Sequence, residues 1–170
     1  MHRVSVPGDH IVVVGAGTSA LVPQLAAEGT FRLTAVDISS AALAELERQL
    51  GPLASRVTYL AADVRTLTLP ATADVWHDRA TFHFLTTPED QAAYVARLRA
   101  NLRPGGHLVL AGFAPDGPAQ CSGLDVVRHD VDSVRALFPG FALLDGVEED
   151  HVTPWGSVQR FVHALFRFDS

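Results

Sequence analysis

The stretch Ile11-Val12-Val13-Val14-Gly15-Ala16-Gly17-Thr18-Ser19-Ala20 decides the fold. Ile11 to Val14 is a run of four apolar, β-branched residues, the pattern of a strand buried on both faces. It stops at Gly15-Ala16-Gly17. Ser19 to Glu28 then shows helical spacing, with Gly29 as its stop. A buried strand, a glycine turn and a helix form the first half of a βαβ unit.

The same alternation continues outward. Phe31 to Val36 reads as a second strand ending at Asp37, and Ser39 and Ser40 are N-cap candidates for a helix to about Leu50, closed by Gly51-Pro52. Val57 to Leu60 is a third strand ending before Asp63, and Asp74 to Trp76 a short fourth. Pro88, Glu89 and Asp90 open a helix to about Leu102, acidic at its start and Arg-rich at its end as the helix dipole favours. Pro104-Gly105-Gly106 is a turn before the strand His107 to Phe113. Asp116 to Gly123 reads as a loop and Asp130 to Phe138 as a short helix. Phe141 to Val147 and Val158 to Phe168 read as an antiparallel hairpin around a loop with Pro154 and Gly156. The whole predicts one α/β domain over residues 1–170, a doubly wound, Rossmann-like, mostly parallel sheet with a C-terminal antiparallel hairpin.

Composition agrees with one globular domain: 170 residues, 48% hydrophobic and 19% charged. Cys121 is the single cysteine, which excludes an internal disulfide and a cysteine-built zinc site. His77, His83, Cys121, His129 and His151 match no metal-ligand spacing, so no metal is expected. No apolar run reaches the roughly 18 residues of a membrane span, and the start lacks an apolar signal-peptide core, so a cytoplasmic location is expected. The net charge is −6 and the arginines do not cluster, which argues against a nucleic-acid partner. A small neutral or cationic substrate, or a protein, fits that charge better.

In doubly wound sheets ligands sit beyond the carboxyl ends of the strands, where the strand order reverses. Gly15 and Gly17 permit a tight turn and close approach of a ligand to the backbone. Asp37 falls 20 residues after Gly17, where a carboxylate can accept both hydroxyls of a ribose. Two nucleoside cofactors share this layout. Gly15 to Ala20 fits the alanine variant of the dinucleotide G-x-G-x-x-G/A loop; the other candidate is S-adenosylmethionine. Asp63, at the end of the third strand in LAADV, can receive the exocyclic amine of an adenine.

With VVVGAGTS, AVDIS, YLAADV and LRPGGHLVL in this order, residues 10 to 168 resemble the class I S-adenosylmethionine-dependent methyltransferases. HDRATFHFL is similar to a branch with small bacterial methyltransferases and, more distantly, eukaryotic lysine methyltransferases such as the citrate synthase enzyme. The resemblance implies S-adenosylmethionine as cofactor. Gly15, Ala16 and Gly17 would face its methionine part. Asp37 would hold the ribose, Ile38 would lie against the adenine, and Asp63 and Val64 would read the adenine edge. His77 would contribute near the methionine amino group through its backbone. Two departures stand out: Val13 occupies the place of the family's acidic residue, and only about nine residues precede the first strand. The shortened start leaves the cofactor exposed or covered by a second subunit, so a homodimer is an expectation.

On the acceptor side, Asp78 can orient an amine and act catalytically, and Arg79 can bind an acceptor carboxylate. His83 is a candidate base, with a packed histidine among Phe82 and Phe84 as the alternative. Phe113 and Trp155 are candidate walls of the substrate pocket. The leading expectation is methyl transfer to a small molecule or, second, to a protein side chain. The alternatives are a non-catalytic or partner-dependent subunit that keeps the fold, and an NAD(P)-dependent oxidoreductase.

Overall fold

The structure is a computed structural model that describes residues 4–17, 19–153 and 156–169. Its main sheet has seven strands in the order β3-β2-β1-β4-β5-β9-β8. They are β1 (His10–Val14), β2 (Arg32–Asp37), β3 (Val57–Ala61), β4 (Ala73–Arg79), β5 (Leu102–Phe113), β8 (Phe141–Val152) and β9 (Val158–Phe168). The first five run parallel; β9 is antiparallel to β5 and to β8. A two-stranded hairpin, β6 (Gln120–Cys121) and β7 (Leu124–Asp125), stands apart.

The chain winds outward from β1 to β3, then returns to place β4 on the other side of β1. The order therefore reverses between β1 and β4, and the crevice at their carboxyl ends is the expected ligand position. Helices α1 (Leu21–Glu28) and α2 (Ser40–Leu50) cover one face over β1 to β3, with Val22, Leu25, Leu43 and Leu46 packed on Ile11, Val13, Leu33 and Ala35. Helices α3 (Pro88–Asn101) and α4 (Val131–Leu137) cover the other face. There Tyr94, Leu98 and Phe138 pack on Val12, Trp76, Leu108 and Phe166. β1 is buried at all five positions because both of its faces are covered.

Capping explains the helix starts. Ser39 Oγ accepts from Ala42 N, Thr87 Oγ1 from Asp90 N and a carboxylate oxygen of Asp130 from Ser133 N. The first helix begins at Leu21 rather than Ser19, because the glycine turn continues through Ser19, whose N–H reaches Ala16 O at 2.8 Å.

Three stretches differ from the sequence expectation. β4 extends through His77-Asp78-Arg79 instead of ending at Trp76, since β1 and β5 keep pairing with it. Pro104-Gly105-Gly106 is a loop-out within β5: pairing jumps from Ala73↔Leu102 to Val75↔His107, with Gly105 at φ 75°. β8 runs on to Val152, because its acidic segment Glu148-Glu149-Asp150 pairs with β9 along an exposed sheet edge, where hydropathy carries no strand signal.

Candidate active site

At the carboxyl ends of β1 and β4 a cleft opens in two connected halves. Gly15, Ala80 and Ser122 line both. The β1–α1 turn supplies Gly15 at φ 62°, a left-handed conformation that suits glycine. A Cβ there would collide with Thr81 Oγ1, so the absence of a side chain is required by the fold. Ala80, a non-glycine residue at φ 65°, marks a sharp turn after β4, and its N–H is held by Ala111 O at 2.7 Å.

The first half encloses about 600 Å³ and is lined by Gly15, Gly17, Asp37, Ile38, Asp63 and Val64, among others. Asp37 Oδ2 accepts from Gly17 N at 2.9 Å and Oδ1 from Ser39 N at 2.9 Å. The carboxylate thus fixes the glycine turn and the approach to α2 together. A Cβ on Gly17 would press on Asp37 Oδ2 and Ala42 Cβ at 3.0 Å each. Ile38 and Leu124 stay 75% and 60% exposed on the walls of this half, and Val64 is buried in it. A carboxylate at a strand end beside apolar walls suits a nucleoside: hydroxyls on the acid, a base between aliphatic side chains.

Asp63, expected to take an adenine amine, lines this half, but its carboxylate is engaged. Arg65 reaches Asp63 Oδ2 at 2.5 Å through its guanidinium, and Arg65 N donates to Oδ1 at 2.8 Å. These hydrogen bonds to Arg65 hold the Asp63 carboxyl below the usual range. Arg65 also pairs with Asp90, 2.7 Å away at the start of α3. A ligand amine must share Asp63 with Arg65 or displace it. The sequence places Arg65 two residues after Asp63, within reach of a local carboxylate–guanidinium pair. That signal went unread.

The second half encloses about 790 Å³, with Val13, His77, Arg79, Phe113, Gln159 and Phe161 among its lining. Strand parity explains this set. Successive side chains on β4 alternate between faces, so His77 and Arg79 point one way and Trp76 and Asp78 the other. His77 stands beside Val13 in the β1–β4 register. Burial, helped by the charge of Arg79, pushes the His77 imidazole down to about 4, so it is neutral at pH 7. Phe113 and Phe161 pack with centroids 4.9 Å apart. Phe161 comes from the last strand, which the sequence presents only as core.

Two expectations, for Asp78 and His83, are corrected. Asp78 is fully buried under α3 and lines neither half of the cleft. Its oxygens accept from Thr81 N (2.9 Å), Phe82 N (3.2 Å) and Tyr94 OH (2.7 Å), so it shapes the turn below the cleft instead of meeting an acceptor. His83 sits in a one-turn 3-10 helix, Phe82–Phe84, with its ring edge-on to Phe84 at 4.5 Å and tilted on Phe113 at 5.1 Å. It is 2% exposed, and burial pushes its pKa down to about 4. It is the packed histidine, not a base open to the cleft. Ala16 is wholly buried with its N–H on Val36 O at 3.0 Å, so its side chain belongs to the core. Trp155 lies outside the described residues.

Among the described residues, no group of three or more histidine, cysteine and acidic side chains could hold a metal, and no helix is long and apolar enough to cross a membrane.

Residues 11–106 match the methyltransferase domain family, which is more than half of the chain. The chain belongs to that family. It is 33% identical over 100 residues to malonyl-[acyl-carrier protein] O-methyltransferase of Anoxybacillus flavithermus and spans 38% of that relative's length. Among solved structures, the N-methyltransferase NodS of Bradyrhizobium japonicum WM9 superposes with a TM-score of 0.79 at 18% identity, covering 99% of this chain and 92% of that one. A second crystal structure of NodS, in complex with S-adenosyl-L-homocysteine, gives a TM-score of 0.76 at 17% identity, covering 95% of this chain and 79% of that one. The Burkholderia thailandensis 1,6-didemethyltoxoflavin-N1-methyltransferase, with its substrate and S-adenosylhomocysteine bound, gives 0.75 at 23% identity, covering 96% and 72%. At these identities the structures establish the class I methyltransferase fold, with β9 inserted between β5 and β8.

Proposed function

We propose that the protein is an S-adenosylmethionine-dependent methyltransferase acting on a small molecule in the cytoplasm. The observation that carries this reading is the pairing of Gly17 with Asp37 at the switch point between β1 and β4, in a chain of the methyltransferase domain family. The first half of the cleft fits the adenosine. Asp37 would take the ribose hydroxyls, Ile38 and Leu124 would flank the base, and Val64 with Asp63 would meet its edge. The glycine turn directs the rest of the cofactor to the second half, where an acceptor would meet the methyl group.

S-adenosylmethionine supplies an activated methyl on a sulfonium. The protein's part is therefore alignment and exclusion of water more than acid–base chemistry. Phe113 and Phe161 wall the acceptor side, and the neutral His77 ring adds to that lining. A small-molecule acceptor is supported by the second half's volume of about 790 Å³, in the range of metabolite-sized ligands.

The test is a thermal melt with S-adenosylhomocysteine and, separately, NAD. Saturation at 100 times Kd stabilises by about 2.7 kcal/mol. For a domain of this size that raises Tm by roughly 5–10 °C. A shift with NAD and none with S-adenosylhomocysteine would overturn the reading.

A further inference from the structure

The acceptor half of the cleft differs in charge from the molecule around it. The chain carries a net charge of −6, yet no aspartate or glutamate is among the described residues lining this half. Among the described residues lining it, the one permanently charged side chain is Arg79. Arg79 is exposed, and among the described residues no carboxylate pairs with it. On the edge strand β8, Glu148 and Asp150 pair with Arg160, at 3.3 and 3.5 Å, and Glu149 with His163 at 3.2 Å.

The arginine is also held in place. Its guanidinium carbon lies 5.7 Å from the centroid of the Phe161 ring. A guanidinium over a ring face is attracted by the ring's quadrupole, and its N–H donors form a fork that suits a planar or tetrahedral oxyanion. Phe113 packs on Phe161 and continues the same wall. Two residues before Arg79 on the same face of β4 stands the His77 ring, neutral at pH 7 and therefore unable to act as a competing cation.

We propose that the acceptor is an organic oxyanion, a carboxylate or a phosphate monoester on an apolar body. Arg79 binds the charged end and Phe113 with Phe161 hold the body. This rests on the methyltransferase reading for the word acceptor, and it reverses the neutral or cationic substrate that the overall charge suggests. Arg79 is then a specificity-determining residue: it fixes one end of the molecule so that a nucleophile at the other end faces the methyl position.

The test uses three probes of one shape: benzoate, phenyl phosphate and the neutral isostere benzamide. Each is titrated calorimetrically into wild type, Arg79→Gln and Arg79→Lys, with and without saturating S-adenosylhomocysteine. The expected result is one-to-one binding of at least one of the two anions, at least tenfold tighter than benzamide. Arg79→Gln should weaken that anion at least tenfold and leave benzamide unchanged; Arg79→Lys should fall between, having the charge without the fork. The stronger of the two anions tells carboxylate from phosphate. Benzamide equal to the anions, no anion binding at all, or anion binding untouched in a folded Arg79→Gln would each overturn the proposal. The titration of S-adenosylhomocysteine itself is read first and reports on the methyltransferase reading alone. The arm without it still tests Arg79 if that reading fails.

Discussion

Asp37 Oδ2 lies 2.9 Å from the amide nitrogen of Gly17, two strand ends joined by one carboxylate. With Oδ1 on Ser39 N at 2.9 Å, the side chain links the β1–α1 turn to the start of α2. The carboxylate proposed to bind ribose is therefore also a strut of the cleft, and the two roles separate by experiment.

Asp37→Ala should weaken S-adenosylhomocysteine and loosen the turn. Up to two charge-assisted hydrogen bonds to the ribose are lost, each worth about 1.5–3 kcal/mol. With water replacing part of them, the net loss is about 2–3 kcal/mol, or roughly 30- to 150-fold in affinity. The two backbone amides left behind reduce stability by about 1–2 kcal/mol. Calorimetry and a urea melt on the same sample read the two effects. Equal affinity in mutant and wild type would remove Asp37 from the ligand site.

Arg65→Ala should act the other way. Arg65 engages the Asp63 carboxylate that an adenine amine would use. The pair is partly exposed, 39% and 25%, so displacing it costs only about 1 kcal/mol. Freeing Asp63 should therefore tighten S-adenosylhomocysteine about fivefold by calorimetry. A weaker affinity would show that Arg65 itself supports the ligand.

The fold was legible because its signals are local. A β-branched run, a glycine turn and spaced caps place β1, α1, β2 and α2 within a few residues. The glycine turn, Asp37, Ile38, Asp63 and Val64 converge on one cleft for the same reason, since strand ends in this topology share one rim. Asp78 and His83 misled because their orientation depends on strand parity and on a single turn of 3-10 helix. Shifting a strand's register by one residue exchanges the side chains that face a ligand for those that face the core. The fact that β4 continues to Arg79, and so buries Asp78, is set by its neighbours β1 and β5, not by its own residues. Leu124 gave no signal, because a two-residue strand has no periodicity to read.

Val13→Asp places a carboxylate near the end of β1, and the structure shows what it would meet. Val13 is 3% exposed, lines the acceptor half and lies beside His77 in the β1–β4 register. A carboxylate there should raise the His77 pKa from about 4, because the imidazolium gains a partner. It should also destabilise the fold by about 1–3 kcal/mol through burial of a polar group. An NMR titration of the His77 ring protons reads the first effect and a urea melt the second. An unmoved His77 in a folded mutant would mean that the new carboxylate does not reach it.

Asp78 sets a pH dependence of opposite sign to that of the ion-paired carboxylates. Its carboxyl has no solvent exposure, and burial pushes it from 3.8 up to about 6, against hydrogen bonds from Tyr94 OH and from Thr81 and Phe82 N–H that hold it down. A raised acid binds its proton more tightly folded than unfolded. Its stabilisation is then complete below about 3.8 and is lost as pH rises through about 6. At about 1.4 kcal/mol per unit, the change across this window is about 3 kcal/mol. Asp63, Asp74, Asp90 and Asp130 are held below the usual range, so they contribute the reverse trend at lower pH. The Asp78 contribution is isolated by subtracting Asp78→Asn from wild type in urea melts between pH 4 and 8. The asparagine keeps an acceptor for the turn amides but cannot receive the Tyr94 proton as a carboxylate does. The difference in unfolding free energy, wild type minus mutant, should fall from pH 4 to about 6 and then level off. A difference that stays flat or rises would show that Asp78 is not a buried acid with a raised pKa, and the hydrogen bond to Tyr94 would have to dominate instead.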